Sequence, residues 1–174
     1  MVEPGLAEGG NWIPTTRFLQ GIREICNRND WLMISDEVLT GLGRTGRMWG
    51  IQHYGVIPDI LVYGKNLCGG IAPLCGVSAR DDIMGDNDEF MSGSTFAGTP
   101  AGCAAAIRTL QIFERDHIVD HARALGEMAA DIMSGWSRYG IVRQARGNGR
   151  LLGVSFGKPE SAAAEEQDWW TARA

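Results

Sequence analysis

Three charged side chains follow apolar runs in the first half of the chain. Asp36 and Glu37 come directly after the run WLMIS, and Lys65 comes directly after the run ILVYG. A charged group at the end of a buried strand costs free energy unless another group or a ligand compensates it. Carboxylates and amines are also groups that exchange protons in enzymes, so Asp36 and Lys65 are the first candidates for an active site.

The elements around these residues alternate between helix and strand. The segment PTTRFLQGIREICNRND spaces its apolar residues at helical intervals, which predicts an amphipathic helix from Thr15 or Thr16 to about Asn27. The continuous runs WLMIS and ILVYG predict strands buried on both faces of a parallel sheet. This order predicts an α/β domain, whose ligands bind beyond the carboxyl ends of the strands, where Asp36 and Lys65 fall.

Further elements are predicted on both sides of the second run. A short helix is expected near Met48 to Tyr54, and a longer one begins with Pro100 at its first position. A connector helix is expected from about Asp116 to Trp136, and a strand from Gly149 to Gly157. The connector is expected to bury one broad apolar face, made by Ile118, Leu125, Met128, Ile132 and Trp136.

Composition excludes several classes of protein. The 174-residue chain is 44% hydrophobic and 21% charged, which is typical of a globular domain with a core. Its net charge of -5 argues against nucleic acid or an anionic membrane surface as a partner. No apolar run approaches the roughly 20 residues of a transmembrane helix, and the opening MVEPGLAEGG lacks a targeting pattern. We therefore expect a cytoplasmic protein with no nucleic-acid or membrane partner.

The cysteines and histidines give no metal-binding pattern. Cys26, Cys68, Cys75 and Cys103 show no CxxC spacing, and the three histidines are not grouped with them. We expect no metal site, and free, mostly buried thiols in a reducing compartment.

Three linked motifs resemble those of a known enzyme family. The stretch SDEVLTGLGRTG, followed by PDILVYGKNLCGG, resembles the pyridoxal-phosphate signature of the class III aminotransferases, which are fold-type I pyridoxal-phosphate enzymes. Upstream, EPGLAEGGNWIP is similar to the family's glycine-rich segment. Downstream, GSTFAGTPAGCAAAI is similar to the motif that the family places at its subunit interface. The three stretches occur in the family's order, and nearly all of residues 1–157 can be placed in this way.

The resemblance implies an α/β fold, namely part of the fold-type I large domain with its mostly parallel sheet flanked by helices. It assigns residues 1–112 to the large pyridoxal-phosphate-binding domain, residues 113–157 to a connector helix and the start of the small C-terminal domain, and residues 158–174 to a truncated tail. Three parts of the family pattern are missing: the glycine and serine loop for the cofactor phosphate, the aromatic residue that stacks on the other face of the cofactor ring, and the usual substrate-carboxylate arginine. We therefore expect an internal to C-terminal fragment that is inactive in isolation.

The resemblance also implies roles at the cofactor. Asp36 resembles the buried carboxylate that keeps the cofactor's pyridine nitrogen protonated, and Val38 resembles the apolar residue packed against the ring. Lys65 resembles the lysine that forms the internal aldimine and then moves the proton between the α-carbon and the cofactor. Thr95, with Ser94 beside it, resembles the threonine that donates a hydrogen bond to the cofactor phosphate from the neighbouring subunit.

Other residues near these motifs have weaker assignments. Glu8 sits where some family members place a glutamate that pairs with a substrate-binding arginine, so it is a candidate substrate residue. Leu39 departs from relatives that carry a glutamine beside the cofactor's ring hydroxyl, which leaves the substrate subgroup open. Glu37 is expected to make a structural salt bridge, and Arg44 and Arg47 are expected to fix the glycine loop without a chemical role.

The implied function is pyridoxal-phosphate-dependent transamination between an amine or amino acid and a 2-oxo acid, by a homodimer. The fold also hosts decarboxylases, racemases and aminomutases, so another pyridoxal-phosphate reaction is an alternative. The other alternative is a catalytically incompetent fragment that retains the motif. The residues do not identify the amino donor.

Overall fold

The structure, a computed structural model, describes residues 1–85 and 95–157. Both Ser94 and the expected tail at residues 158–174 lie outside the described residues. The helices and strands, in chain order, are α1 (Thr16–Asn29), β1 (Ile34–Asp36), β2 (Ile60–Tyr63), β3 (Gly76–Ala79), α2 (Asp81–Met84), α3 (Pro100–Arg115), α4 (Ile118–Ser134), β4 (Val142–Asn148) and β5 (Leu151–Phe156). Short 3₁₀ turns span Gly50–Tyr54, Lys65–Cys68 and Gly135–Arg138.

Helix α1 confirms the prediction made from its capping residues. The Phe18 N–H donates to the hydroxyl of Thr15, the N-cap, at 3.3 Å. The helix continues two residues beyond the predicted end and stops where Asp30 takes a left-handed conformation with φ 55°. It buries Leu19 and Cys26, whereas Phe18 is 55% exposed, so the buried stripe is narrower than its apolar spacing suggested.

The three-stranded sheet has the order β1-β2-β3. Strands β1 and β2 are parallel, with Ile34 opposite Ile60 and Asp36 opposite Val62, as predicted. Strand β3 was not predicted, and it pairs with β2 in the antiparallel sense. The prediction that the whole run WLMIS is a buried strand is wrong, because pairing begins only at Ile34 and Trp31 is 61% exposed.

Strands β4 and β5 form an antiparallel hairpin. Strand β5 confirms the predicted strand near Gly149 to Gly157, although it begins at Leu151. Strand β4 was missed because its sequence, VRQARGN, is mostly polar.

Helix α4 lies where the connector helix was predicted, but it buries a different face. Met128 and Ile132 are 60% and 59% exposed, so the predicted apolar face is wrong for these residues. The buried residues are Ala122, Gly126 and Met133. A Cβ atom at Gly126 would lie 2.4 Å from the Gly149 Cα, so the helix packs through small residues against the backbone of the hairpin turn.

Two apolar clusters hold these elements together. The first joins α1, β1 and the turn Gly50–Tyr54, and its buried residues are Leu19, Cys26, Met33, Ile51, Tyr54 and Val56. The second fixes the turn Lys65–Cys68 against α3 through Leu42, Leu67, Cys68 and Ala106. All four cysteines are free, as expected, and of these Cys75 is exposed. Among the helices that the structure describes, none combines the length and the apolar character needed to span a membrane.

Candidate active site

The carboxyl ends of β1 and β2 bring Asp36 and Lys65 to the same edge of the sheet. Asp36 lies opposite Val62, and the Glu37 N–H continues the ladder by donating to the Val62 carbonyl at 2.8 Å. Lys65 follows β2 after one glycine. On the other side of β1, the Asp36 N–H donates to the Val2 carbonyl at 2.9 Å. Three chain segments therefore converge at this edge.

Lys65 has an unusual backbone and a free amine. Its φ is +44°, in the left-handed region, which costs a residue other than glycine roughly 1–3 kcal/mol. The following residues Leu67 and Cys68 are buried, and the Cys68 thiol donates to the Gly102 carbonyl at 3.4 Å, so the turn is anchored to α3. Within the described residues, the Lys65 amine has no hydrogen bond or ion pair. Lys65 is exposed, so its free amine alone is ordinary for a lysine, and the left-handed backbone at the end of β2 is the feature that points to a functional position.

Asp36 is half-buried and only partly satisfied. One carboxylate oxygen, Oδ1, accepts a hydrogen bond from the Val38 N–H at 3.1 Å. For the other oxygen, the described part of the chain supplies no donor. The backbone contact orients the carboxylate and leaves one oxygen available to a donor from a ligand.

Glu37 is 1% exposed and fully satisfied. Its carboxylate accepts hydrogen bonds from the Thr40 hydroxyl at 2.6 Å, the Gly50 N–H at 2.8 Å and the Ile51 N–H at 2.7 Å, and a long one from Ser35 at 3.5 Å. Burial raises the pKa of Glu37 above its usual value, and these hydrogen bonds oppose the rise.

The expected salt bridge of Glu37 is therefore wrong. Among the ion pairs of the described residues none includes it, and its charge is instead met by hydroxyl and backbone N–H donors. Glu37 fixes the glycine loop to the following 3₁₀ turn.

Two cavities share Lys65. One, of about 350 Å³, is lined by Lys65, Val38 and Arg44 and by the hairpin residue Arg150. The other, of about 540 Å³, lies between Lys65 and the turn at residues 95–98. Neither cavity includes Asp36 in its lining. The lysine thus stands between a cationic cavity and a second one whose lining, apart from the lysine, is uncharged.

The remaining predicted residues, Thr95 and Glu8, differ in their position relative to the two cavities. Thr95 is exposed and opens the turn whose next residues, Phe96 to Gly98, line the larger cavity. Glu8 is exposed in a turn and does not line either cavity. Asn11, three residues further along, does line the smaller one.

The sequence did not identify Asn11, Arg44 and Arg150 as residues of the site. The Arg44 side chain was expected to fix the glycine loop, but among the described residues its guanidinium makes no hydrogen bond or ion pair. Asn11 donates to the Leu152 carbonyl at 2.5 Å, and so joins the N-terminal loop to the hairpin. Arg146 donates to the Gly10 carbonyl at 3.1 and 2.8 Å and stacks 4.1 Å over the Trp12 ring. The GNGR stretch that carries Arg150 signals a turn, but its partner strand is too polar to be recognised from its sequence.

This arrangement supports proton exchange and nucleophilic chemistry at an amine. It combines a free amine, an oriented carboxylate with an open acceptor and an apolar side chain, Val38, beside a cavity. Within residues 1–85 and 95–157, no group of three or more His, Cys, Asp and Glu side chains is arranged to hold a metal ion.

Comparison with known proteins gives a consistent match. The class-III aminotransferase family model matches residues 1–171. The mitochondrial ornithine aminotransferase of Rattus norvegicus is 40% identical over 155 residues, covering 88% of this chain and 35% of the relative. The chain spans 35–42% of the length of the curated relatives that it matches.

Solved structures share the fold. An (S)-enantioselective omega-transaminase from Thermomicrobium roseum superposes with a TM-score of 0.85 at 32% identity, over 91% of this chain and 36% of the other. The ornithine aminotransferase of Toxoplasma gondii, whose active site is partially occupied by PLP, superposes with a TM-score of 0.85 at 36% identity, over 89% of this chain and 37% of the other.

Proposed function

The chain belongs to the class III aminotransferases, and from this premise we propose that it carries the cofactor-anchoring part of a pyridoxal-phosphate-dependent transamination site. The observation that carries the proposal is the position of Lys65. Its amine is without a described partner, stands at the sheet edge that also holds Asp36, and opens onto two cavities. The match with ornithine aminotransferases supports the same reaction class.

The residues at this edge fit pyridoxal phosphate. Lys65 offers a free amine for the cofactor's carbonyl carbon, Asp36 offers an open carboxylate oxygen for its ring nitrogen, and Val38 offers an apolar surface for its ring. When bound, the cofactor supplies an electron-withdrawing ring that stabilises negative charge on the substrate carbon next to the transferred nitrogen.

Asp36 and Lys65 would have separate tasks. The Asp36 carboxylate provides a negative charge that favours a proton on the neighbouring ring nitrogen, and the Val38 N–H holds that carboxylate in one orientation. The Lys65 amine would accept at Nζ the proton that the substrate carbon loses, as a general base, and would then donate it to the cofactor rather than back to that carbon, as a general acid.

The other predicted residues extend the proposal. Thr95, directly before the residues that line the larger cavity, donates a hydrogen bond to the cofactor phosphate of a neighbouring subunit, with Ser94 as a second donor. The active form is then a homodimer. Glu8, which lines neither cavity, remains a proposed partner for a cation of the substrate site. The substrates are an amino donor and a 2-oxo acid acceptor, and the names of the relatives recommend ornithine and 5-aminovalerate as the first donors to test.

The chain allows a sharp test of cofactor attachment, because its sequence contains two lysines, Lys65 and Lys158. The chain is incubated with pyridoxal phosphate, treated with borohydride and digested, and the modified peptides are identified by mass spectrometry. We expect the label on Lys65 well above the label on Lys158 and on the N-terminal amine. Equal labelling of the three amines would refute a specific cofactor site.

A second measurement separates the enzyme from its non-catalytic alternative. Glutamate formed from 2-oxoglutarate and the donor is measured by mass spectrometry with the same preparation. Specific labelling of Lys65 together with glutamate formation supports an aminotransferase. Specific labelling without it supports a cofactor-binding chain that requires residues outside these 174 for turnover.

A further inference from the structure

A third cavity, of about 500 Å³, lies at the end of the sheet where β2 begins and β3 finishes. Polar residues of α1 line it at helical spacing, namely Gln20, Arg23, Glu24 and Asn27. The rest of its lining is the segment 55–57 and two charged residues, Asp59 and Arg80. Within the described residues, it shares no lining residue with the two cavities at Lys65. It is therefore a separate candidate site at the opposite end of the sheet.

The segment 55–57 contributes two backbone donors that have no acceptor. In the part of the chain that the structure describes, the N–H groups of Val56 and Ile57 make no hydrogen bond. Val56 is buried, and a buried residue rarely leaves its N–H group unpaired. Consecutive free N–H groups are donors that a backbone segment can offer to an anionic oxygen. These two groups therefore indicate a ligand with a carboxylate or a similar anion.

Arg23 adds a charged donor to the same cavity. Its Nη1 donates to Asp59 at 2.6 Å and makes a long contact of 3.5 Å with the Ile57 carbonyl, so the side chain is held in place. Its Nη2 has no acceptor among the described residues and, unlike the buried Nε, is not enclosed by protein atoms. A guanidinium nitrogen that is fixed and unpaired is a strong donor for a carboxylate.

Glu24 supplies an unpaired negative charge to this cavity. It follows Arg23 on α1, is exposed, and makes no hydrogen bond or ion pair within the described residues. The ionised side chains of the described lining sum to no net charge, since two are cations and two are carboxylates. A simple anion gains little from such a lining, because Glu24 repels it. A ligand that carries both a carboxylate and an ammonium group is complementary to Arg23 and Glu24 together.

We infer that this cavity binds a free α-amino acid with an apolar side chain. The carboxylate of the ligand accepts hydrogen bonds from the N–H groups of Val56 and Ile57 and from Nη2 of Arg23, and its ammonium group pairs with Glu24. The exposed side chain of Ile57 offers an apolar surface to the side chain of the ligand. Among the described lining residues there is no lysine, so this site is distinct from the proposed catalytic one.

The test uses L-leucine as the probe and two of its analogues as controls. The analogue 4-methylpentanoate lacks the ammonium group, and 3-methylbutylamine lacks the carboxylate. Binding to the full chain without cofactor is measured by isothermal titration calorimetry. L-leucine should bind, and each analogue should bind roughly tenfold more weakly or less, since each loses one charge-assisted contact. Absence of L-leucine binding, or equal binding of either analogue, would overturn the inference.

Two substitutions test the charged contacts one at a time. Glu24→Gln should weaken L-leucine binding roughly tenfold, and Glu24 is exposed, so its replacement leaves the core intact. Glu127→Gln removes the same charge from α4, away from this cavity, and should leave the affinity unchanged within about twofold. Arg23→Lys keeps a cation beside Asp59 but removes Nη2, and it should also weaken binding roughly tenfold. Unchanged binding in Glu24→Gln, or an equal loss in Glu127→Gln, would contradict the site.

A further titration separates this site from the proposed catalytic one, where an amino acid would also bind. Lys65→Ala should leave the affinity for L-leucine unchanged within about twofold, because Lys65 lies at the other end of the sheet. Loss of L-leucine binding in Lys65→Ala would place the ligand at Lys65 and overturn this inference, while leaving the proposed function standing. Binding that depends on Glu24 and persists in Lys65→Ala supports this site, whether or not Lys65 takes the cofactor label.

Discussion

The two ends of the three-stranded sheet treat their charged side chains differently. At the end where β1 and β2 finish, the Lys65 amine has no described partner and Asp36 has one open carboxylate oxygen. At the opposite end, directly before β2, Asp59 is 7% exposed and both of its carboxylate oxygens are paired. Both ends belong to the same three-stranded sheet, but at the first end the charged groups that flank the strands remain open to ligands.

Asp59 shows how hydrogen bonds to both carboxylate oxygens change the pKa of a buried acid. Its carboxylate accepts hydrogen bonds from the Met33 N–H at 2.7 Å and from Arg23 at 2.6 Å, and it also pairs with Arg80. Burial alone would raise the pKa of Asp59, but these three donors together lower it to about 2. The buried Nε of Arg23 is the exception, since no acceptor for it exists among the described residues. The network stabilises the fold, and we assign it no chemistry.

The largest expected effect is a loss of glutamate formation on substitution of Lys65, with Lys158 as the comparison. In a preparation that forms glutamate, Lys65→Ala should reduce its formation about 10³-fold or more, because it would remove the proposed attachment point and the proposed proton carrier together. The free energy of unfolding should change by no more than about 0.5 kcal/mol, since the side chain makes no described contact of its own. Lys158→Ala is the matched control and should leave turnover unchanged. Comparable losses in the two variants would remove Lys65 from the site.

At the opposite end of the sheet, where Asp59 is paired, substitution should change the free energy of unfolding rather than turnover. Asp59→Asn should lower the free energy of unfolding by about 3 kcal/mol, because it leaves two arginines and a backbone N–H without their charged acceptor. Asp82→Asn removes an exposed carboxylate that also pairs with Arg80, and it should have no measurable effect. Urea denaturation measures both. A loss in Asp82→Asn as large as that in Asp59→Asn would show that burial does not govern these pairs.

Glu37 is the exception at the end of the sheet that holds Asp36 and Lys65. It is adjacent to Asp36, but protein donors already fill its carboxylate. Glu37→Gln should cost about 2 kcal/mol, since an amide has a single acceptor oxygen for the two N–H groups and the hydroxyl that the carboxylate accepts. Labelling of Lys65 by cofactor and borohydride should persist in the folded fraction. Loss of specific labelling without loss of stability would make Glu37 part of the site.

The two buried carboxyls should also give opposite pH dependences. The pKa of Asp59 is lowered from 3.8 to about 2, so its contribution to stability is present above 3.8 and is lost as the pH falls towards about 2. The pKa of Glu37 is raised by burial, so its contribution is present below its usual value and is lost as the pH rises through its value in the folded state. Unfolding free energies of the native chain and Asp59→Asn should therefore converge between about pH 4 and pH 2. Parallel curves there would contradict the pairing of Asp59.

Most elements near the site could be predicted from local signals. The cap at Thr15, the proline that opens α3 and the apolar run of β2 each depend on a few adjacent residues. Strands β3 and β4 were missed because they have few apolar residues and gain their pairing from neighbours distant in sequence. The buried face of α4 was wrong because it packs through Gly126, where closeness of backbones, rather than side-chain hydrophobicity, decides the contact.

In the candidate site, too, features set by local sequence could be predicted and features set by tertiary packing could not. Asp36 and Lys65 could be placed at one edge because parallel strands align their carboxyl ends, and the register confirms that placement. The salt bridge expected for Glu37 was wrong because the donors that meet it are backbone groups 13 and 14 residues away. Arg150 was missed for a similar reason, since it reaches the cavity only through tertiary packing of the hairpin against the glycine loop.

Thermal unfolding with and without pyridoxal phosphate, applied to Asp36→Asn and Asp59→Asn beside the native chain, tests the difference between the two ends most directly. Cofactor at 100 times its dissociation constant should stabilise the native chain by about 2.7 kcal/mol. Asp59→Asn should start from a lower stability and keep this gain, because its site is intact. Asp36→Asn should start close to the native stability and lose the gain. The same gain in both variants, or none in the native chain, would contradict the claim that the open end of the sheet holds the cofactor.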